Sequence, residues 1–249
     1  MIRKLEWDSA FFGLAMAHLD HEAFVPGSSA AWAARMEREG LDFIQTKVPV
    51  GDAARIRELE DAGFRFADLR MTFAAKPEAI PHPARAVDAA RFVPAKQADE
   101  RELCRFAPSL FADSRYFGFD AHFPPSRVRD LYAEWIRKAI RGTWDDRLYK
   151  YVANGEAVGF VTVRLCGDSA SIGLIGVRSD CRRQGIGGAL LGGLALALRA
   201  EAVPLLTVAT QGQNIAAQNL YMKSNFQLNA VEAWYYRFAG GRSERRDSV

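Results

Sequence analysis

The stretch from Ser171 to Leu191 constrains the fold of this chain more than any other: Ser-Ile-Gly-Leu-Ile-Gly-Val-Arg-Ser-Asp-Cys-Arg-Arg-Gln-Gly-Ile-Gly-Gly-Ala-Leu-Leu. Its first seven residues suit a strand, and beyond the turn Leu190, Leu191, Leu194 and Leu198 recur at helical spacing. A core strand therefore passes through a basic, glycine-rich turn into a helix with one apolar face. The first N–H groups of such a helix lack intrahelical partners, and the helix dipole places partial positive charge at that end. Gly185, Gly187 and Gly188 let an anion reach the backbone with no Cβ in the way, while Arg182 and Arg183 add charge. The turn is suited to a pyrophosphate. A P-loop is excluded, because no Gly-Lys-Ser/Thr follows the glycines, and the three glycines of a G-x-G-x-x-G dinucleotide turn are absent.

Downstream, Leu205 to Thr210 reads as a short buried strand, followed by Gln211-Gly212-Gln213-Asn214 and a helical segment from Ala216 to Lys223. On the residues alone, Asn214 is an ordinary N-cap and Tyr221 a core residue with a locally satisfied hydroxyl. With Arg182-x-x-Gly185-x-Gly187 ahead of it, this succession resembles the coenzyme A loop and following unit of the GNAT superfamily of N-acetyltransferases. The resemblance implies an α/β GNAT fold, a mixed, largely antiparallel central sheet flanked by helices, with acetyl-CoA as co-substrate and no metal. It implies cofactor contacts from Leu174, Ile175, Gly176, Val177, Arg182, Arg183, Gln184, Gly185, Ile186, Gly187, Gly188, Ala189, Asn214 and Ala217. In that reading Gly173 to Val177 offer backbone N–H groups to the cofactor and the polarised carbonyl, and Tyr221 is the general acid beside the thioester sulfur.

Composition bounds the rest. The chain has 249 residues, enough for one large or two small domains, and with 49% apolar and 25% charged residues it has the make-up of a soluble globular protein. A net charge of +3 calls for neither nucleic acid nor an anionic membrane as partner. No segment has the length and apolarity of a membrane span, and Met1 to Asp8 lead into charge rather than a signal-peptide core, so a cytoplasmic location is expected. Cys104, Cys166 and Cys181 have no zinc-like spacing and cannot all pair, which suits free thiols. His18 and His21 lack further ligands to complete a metal site.

Four of the ten prolines, Pro77, Pro81, Pro83 and Pro94, fall between Lys76 and Pro94. This stretch reads as a linker over 77–94 between a small N-terminal α/β domain (1–76) and an acetyltransferase domain (95–239), with a polar, disordered tail at 240–249. The second domain is expected to contain a strand near Arg91 and helices near Asp99 to Ala107 and Ser126 to Arg141. A hairpin should turn at Asn154-Gly155, with arms Lys150 to Ala153 and Ala157 to Leu165. In the first domain, Phe43 to Val48, a helix from Asp52 to Ala62, Gly63-Phe64 and a strand from Leu69 to Phe73 follow the order of the C-terminal unit. Aligning Phe64 with Phe226 sets Asp52 opposite Asn214 and Leu59 opposite Tyr221. Two accounts stand: a degenerate internal repeat whose first copy helps wall the acceptor site, or two strand–helix–strand units alike by chance.

Trp7-Asp8-Ser9-Ala10-Phe11-Phe12-Gly13, Tyr132-Ala133-Glu134-Trp135-Ile136, Arg141-Gly142-Thr143-Trp144-Asp145 and Val208-Ala209-Thr210-Gln211 narrow the resemblance. They are similar to the branch of that superfamily that N-acetylates dTDP-4-amino-4,6-dideoxygalactose on the way to enterobacterial common antigen. The branch implies a nucleotide-sugar acceptor, a homodimer, and Asp68 in the place of a remote base acting through water; the other reading of Asp68 is a solvated turn residue. Phe111, Arg115 and Tyr116 lie where acceptor choice is shaped, Arg115 to pair with a diphosphate and an aromatic to stack on thymine, although such aromatics also serve as plain core. Two alternatives remain: an acetyltransferase acting on a protein N-terminus or another small amine, and a non-catalytic acyl-CoA-binding regulator that would have no need of Tyr221.

Overall fold

The computed structural model describes residues 1–81, 91–106, 114–116, 119 and 121–240. The chain forms two compact units, Met1–Arg70 with Val231–Val249, and Met71–Ala230. They part inside two long strands, β4 (Arg65–Ala75) and β10 (Gln227–Phe238), whereas the proline-rich stretch read as a linker lies within the second unit.

The first unit contains β1 (Ile2–Lys4), α1 (Glu6–Phe12), β2 (Met16–Leu19), α2 (Ser29–Glu39), β3 (Phe43–Pro49) and α3 (Ala53–Asp61). β1 pairs antiparallel with β2, β2 parallel with β3, and β3 antiparallel with the last part of β10, from Glu232↔Pro49 to Phe238↔Phe43. Two helix starts are capped by short polar side chains: the Ser28 hydroxyl accepts from Ala31 N at 3.2 Å, and Asp52 Oδ1 accepts from Arg55 N at 3.0 Å. Trp32, Met36, Ile44, Leu59, Phe64 and Tyr235 make the core. Arg237 is buried within it and donates to Ala62 O at 2.7 Å and Ser29 O at 2.6 Å.

The second unit adds β5 (Phe92–Pro94), α4 (Glu100–Phe106), α5 (Pro125–Ile140), β6 (Arg147–Ala153), β7 (Glu156–Cys166), β8 (Ser169–Val177), α6 (Ile186–Ala200), β9 (Leu205–Gln211) and α7 (Ile215–Lys223). Successive strands from β5 to β8 pair antiparallel, and β9 lies parallel to β8. The β6–β7 hairpin turns on Asn154 and Gly155, with φ of 52° and 80°, the left-handed pair that a two-residue hairpin requires. Its first arm begins at Arg147, three residues before the expected Lys150. Leu190, Leu191, Leu194 and Leu198 are all buried, so the apolar face of α6 is where its spacing put it. Gly159 on β7 admits that helix: a Cβ there would stand 3.0 Å from Leu190 Cδ1 and from Gly176 O.

Two irregularities in β8 interrupt the sheet at its C-terminal end. Its pairs with β9 run from Ser169↔Leu205 to Ile172↔Val208 and then cease, although the strands continue to Val177 and Gln211. Against β7 the register shifts between Val161↔Ile175 and Val163↔Ile172, so Gly173 and Leu174 stand opposite Thr162 alone, a β-bulge.

The strand–helix–strand pieces aligned in the sequence share local geometry. The N-caps Asp52 (φ −87°, ψ 70°) and Asn214 (φ −82°, ψ 68°) both bond the third N–H onward, Leu59 and Tyr221 are both buried, and Gly63 and Asn225 both take positive φ. Phe64 N donates to Leu59 O at 2.9 Å and Phe226 N to Tyr221 O at 3.0 Å. All three cysteines are free. Among the described residues no helix is long and apolar enough to cross a membrane, and no three His, Cys, Asp or Glu side chains gather as metal ligands.

Candidate active site

Where β8 and β9 part, the second unit holds a cavity of about 650 Å³. Its walls are β8 from Ile172 to Val177, the turn from Cys181 into α6, the end of β9 from Val208 to Gln211, and one side of α7. Tyr132 and Trp135 of α5, with Arg115 and Tyr116, close the remaining side.

One end suits an anion. Gly185 is the N-cap of α6 at φ 81°, and no side chain caps the helix, so its first N–H groups are available to a ligand. A Cβ on Gly185 or Gly188 would meet nothing within 4 Å, and Arg182 and Arg183 are exposed beside them. Gly187 has a different duty as well. A Cβ there would come within 2.9 Å of Leu220 Cδ2, so this glycine also lets α6 and α7 approach each other. The uncapped helix start with two guanidinium groups fits the pyrophosphate of coenzyme A.

All of the residues expected at the cofactor line this cavity except Gln184 and Ala189. The Gln184 amide turns back to Asp180 O at 3.4 Å, and Ala189 is buried in the core face of α6. Asn214 lines the cavity and is also an N-cap, its Oδ1 accepting from Ala217 N at 3.1 Å. Gln218 steadies the same turn, donating to Gln211 O at 3.2 Å and Gly212 O at 2.7 Å.

Tyr221 borders the cavity with its ring 5.6 Å from Phe73 and 5.9 Å from Phe226. Among the described residues, burial is the one influence that acts on the titration of its hydroxyl. Burial pushes its pKa well above the ordinary phenol value, because the phenolate would lose its hydration, and so holds the group protonated.

Arg115 packs over the Tyr116 ring at 4.3 Å and donates to its hydroxyl at 2.7 Å. Phe111 lies outside the described residues. Asp68 belongs to the first unit and is not a lining residue; it is buried, with Oδ1 accepting from Leu69 N at 2.7 Å. Sequence reasoning missed Tyr132 and Trp135 as site residues, although their i, i+3 spacing on an amphipathic helix puts them on one face. They meet edge to face at 5.1 Å. The Trp135 indole N–H is buried with no acceptor among the described residues, a donor that a bound molecule can satisfy. Thr210, Asn219 and Lys223 also line the cavity, and nothing in their spacing marked them.

Residues 110–226 match the model of the Acetyltransferase (GNAT) family. The chain is 28% identical over 242 residues to dTDP-fucosamine acetyltransferase of Escherichia coli O6:H1, covering 95% of this chain and 97% of that protein. It is 29% identical over 112 residues, 44% of this chain and 76% of the relative, to the ribosomal protein bS18-alanine N-acetyltransferase of Escherichia coli K12. A GCN5-related N-acetyltransferase from Sphaerobacter thermophilus shares the fold with a TM-score of 0.57 at 15% identity, over 90% of this chain and 73% of that one.

Proposed function

We propose that this chain, an acyl-transferring enzyme with a GNAT domain matched over residues 110–226, moves acetyl from acetyl-CoA to the amine of a nucleotide-linked amino sugar, dTDP-4-amino-4,6-dideoxygalactose first among them. What carries the transfer is one cavity lined both by the uncapped start of α6 and by Tyr221. What carries the acceptor is the near full-length relation to a dTDP-fucosamine acetyltransferase. Arg115 supplies a cation for the diphosphate, and the aromatic wall of Tyr116, Tyr132 and Trp135 supplies a surface for the base and sugar.

In this reading the neutral amine forms the C–N bond as the C–S bond breaks. Tyr221 gives its proton to the departing thiolate sulfur, and the proton shed by the acylated nitrogen returns through water to the Tyr221 oxygen. A raised tyrosine pKa does not spoil the match, since the same loss of hydration raises the pKa of a thiol buried beside it. A protein N-terminus is the second reading, favoured by the partial match to a ribosomal-protein alanine acetyltransferase.

The deciding assay monitors release of the CoA thiol with dTDP- and UDP-linked amino sugars beside an alanine-terminated peptide. Turnover with a dTDP-linked amino sugar supports the first reading, and turnover with the peptide alone replaces it by the second. Tyr221→Phe is expected to keep the acetyl-CoA Kd within about threefold while lowering kcat about 10²-fold or more. An unchanged kcat would remove Tyr221 from the mechanism.

A further inference from the structure

The bulge in β8 is held by a buried polar chain that reaches the cavity from behind. Leu174 N donates to Thr162 Oγ1 at 2.8 Å, and the same hydroxyl donates to Asp145 Oδ2 at 2.5 Å. Asp145 Oδ1 pairs ionically with Arg164 Nη2 at 3.1 Å, and Arg164 is fastened in turn to Trp144 O at 2.8 Å. Thr162 and Asp145 are both buried. A carboxylate placed there is expensive to desolvate and is retained where it fixes a particular arrangement.

That arrangement is written into β8. A Cβ on Gly173 would overlap the Asp145 carboxylate and come within 2.8 Å of Thr162 Oγ1. The carboxylate therefore occupies the volume that any other residue at 173 would fill, and Gly173 and Leu174 both line the cavity on their other side. Thr162 stands in for the backbone partner that the bulge removes, so the direction of the peptide between Gly173 and Leu174 depends on one hydroxyl.

We infer that Thr162 and Asp145 are positioning residues for acyl transfer: by taking up the Leu174 N–H away from the cavity they fix the bulged backbone of β8, whose following N–H groups, from Ile175 onward, polarise the thioester carbonyl. Neither touches the reacting atoms; they set the backbone that does. The inference rests on the acyl-transfer reading and is independent of which amine accepts the acetyl group.

The test is isotope-edited infrared spectroscopy of acetyl-CoA labelled at the thioester carbonyl and bound to the full chain. The wild type is expected to lower the carbonyl frequency relative to free acetyl-CoA. Thr162→Val should lose at least half of that shift with an acetyl-CoA Kd within about threefold of wild type, and Thr162→Ser should restore it. Asp145→Ala should act like Thr162→Val, and the double variant should lose no more than either alone, since residues acting as one unit are not additive. A wild-type band in Thr162→Val, failure of serine to rescue, or additive losses would each overturn the inference. A shifted carbonyl in a wild type that acetylates no dTDP sugar would sink the nucleotide-sugar reading alone.

Discussion

A phenol held between Phe73 and Phe226 is a weaker acid than one in water, and the consequence for Tyr221 can be read against pH. Its folded pKa lies above the unfolded value of about 10. The protonated form thus persists beyond about pH 10, and under the proposed role kcat is expected to show no alkaline fall from Tyr221 between about pH 7 and pH 10. The same shift bears on stability: the contribution is fully present below about pH 10 and is lost as pH rises from there through the folded pKa, because the unfolded chain ionises first. A kcat–pH profile of wild type beside Tyr221→Phe checks the first expectation. An alkaline limb near pH 9 that disappears in Tyr221→Phe would contradict it.

At the scale of the element, the start of α6 is the most exposed to change. Gly185 holds φ at 81°, a conformation that costs an L-residue about 1–2 kcal/mol. Gly185→Ala either takes on that strain or turns the helix start away. The expected result is an acetyl-CoA Kd raised about tenfold by calorimetry, with Gly188→Ala, whose Cβ meets open space, changing it less. These two glycines were legible in the sequence because a run of leucines at helical spacing follows them, and Asn154-Gly155 was legible because two positive φ angles demand such residues. Much of the N-terminal unit was not. A three-residue β1 and a seven-residue α1 are too short to establish a period, and α1 closes on the left-handed Gly13 before its pattern repeats. Nor could the Thr162 bulge be seen, since it is a property of the register between β7 and β8 rather than of either strand. Within the candidate site the glycine-rich turn and Tyr221 could be read locally, whereas Trp135 and Thr210 reach the cavity only through the packing of α5 and the parting of β8 from β9.

At the scale of the whole molecule, the first unit is discontinuous in sequence. The first unit takes its last strand from residues 231–238, which supply Ala233 and Tyr235 to its core and the buried Arg237 with its bonds to Ser29 and Ala62. Residues 1–76 alone are therefore expected to show no cooperative thermal transition, and a chain in which residues 231–239 are joined to them by a flexible linker is expected to regain one, both monitored by circular dichroism. A cooperative melt of 1–76 by itself would mean that β3 does not need its partner. The same feature governs what happens during synthesis. At roughly 5–20 residues per second, the ribosome takes about ten to thirty seconds to pass from the end of β4 to the last strand, and for that time the edge of β3 is open to any other extended peptide.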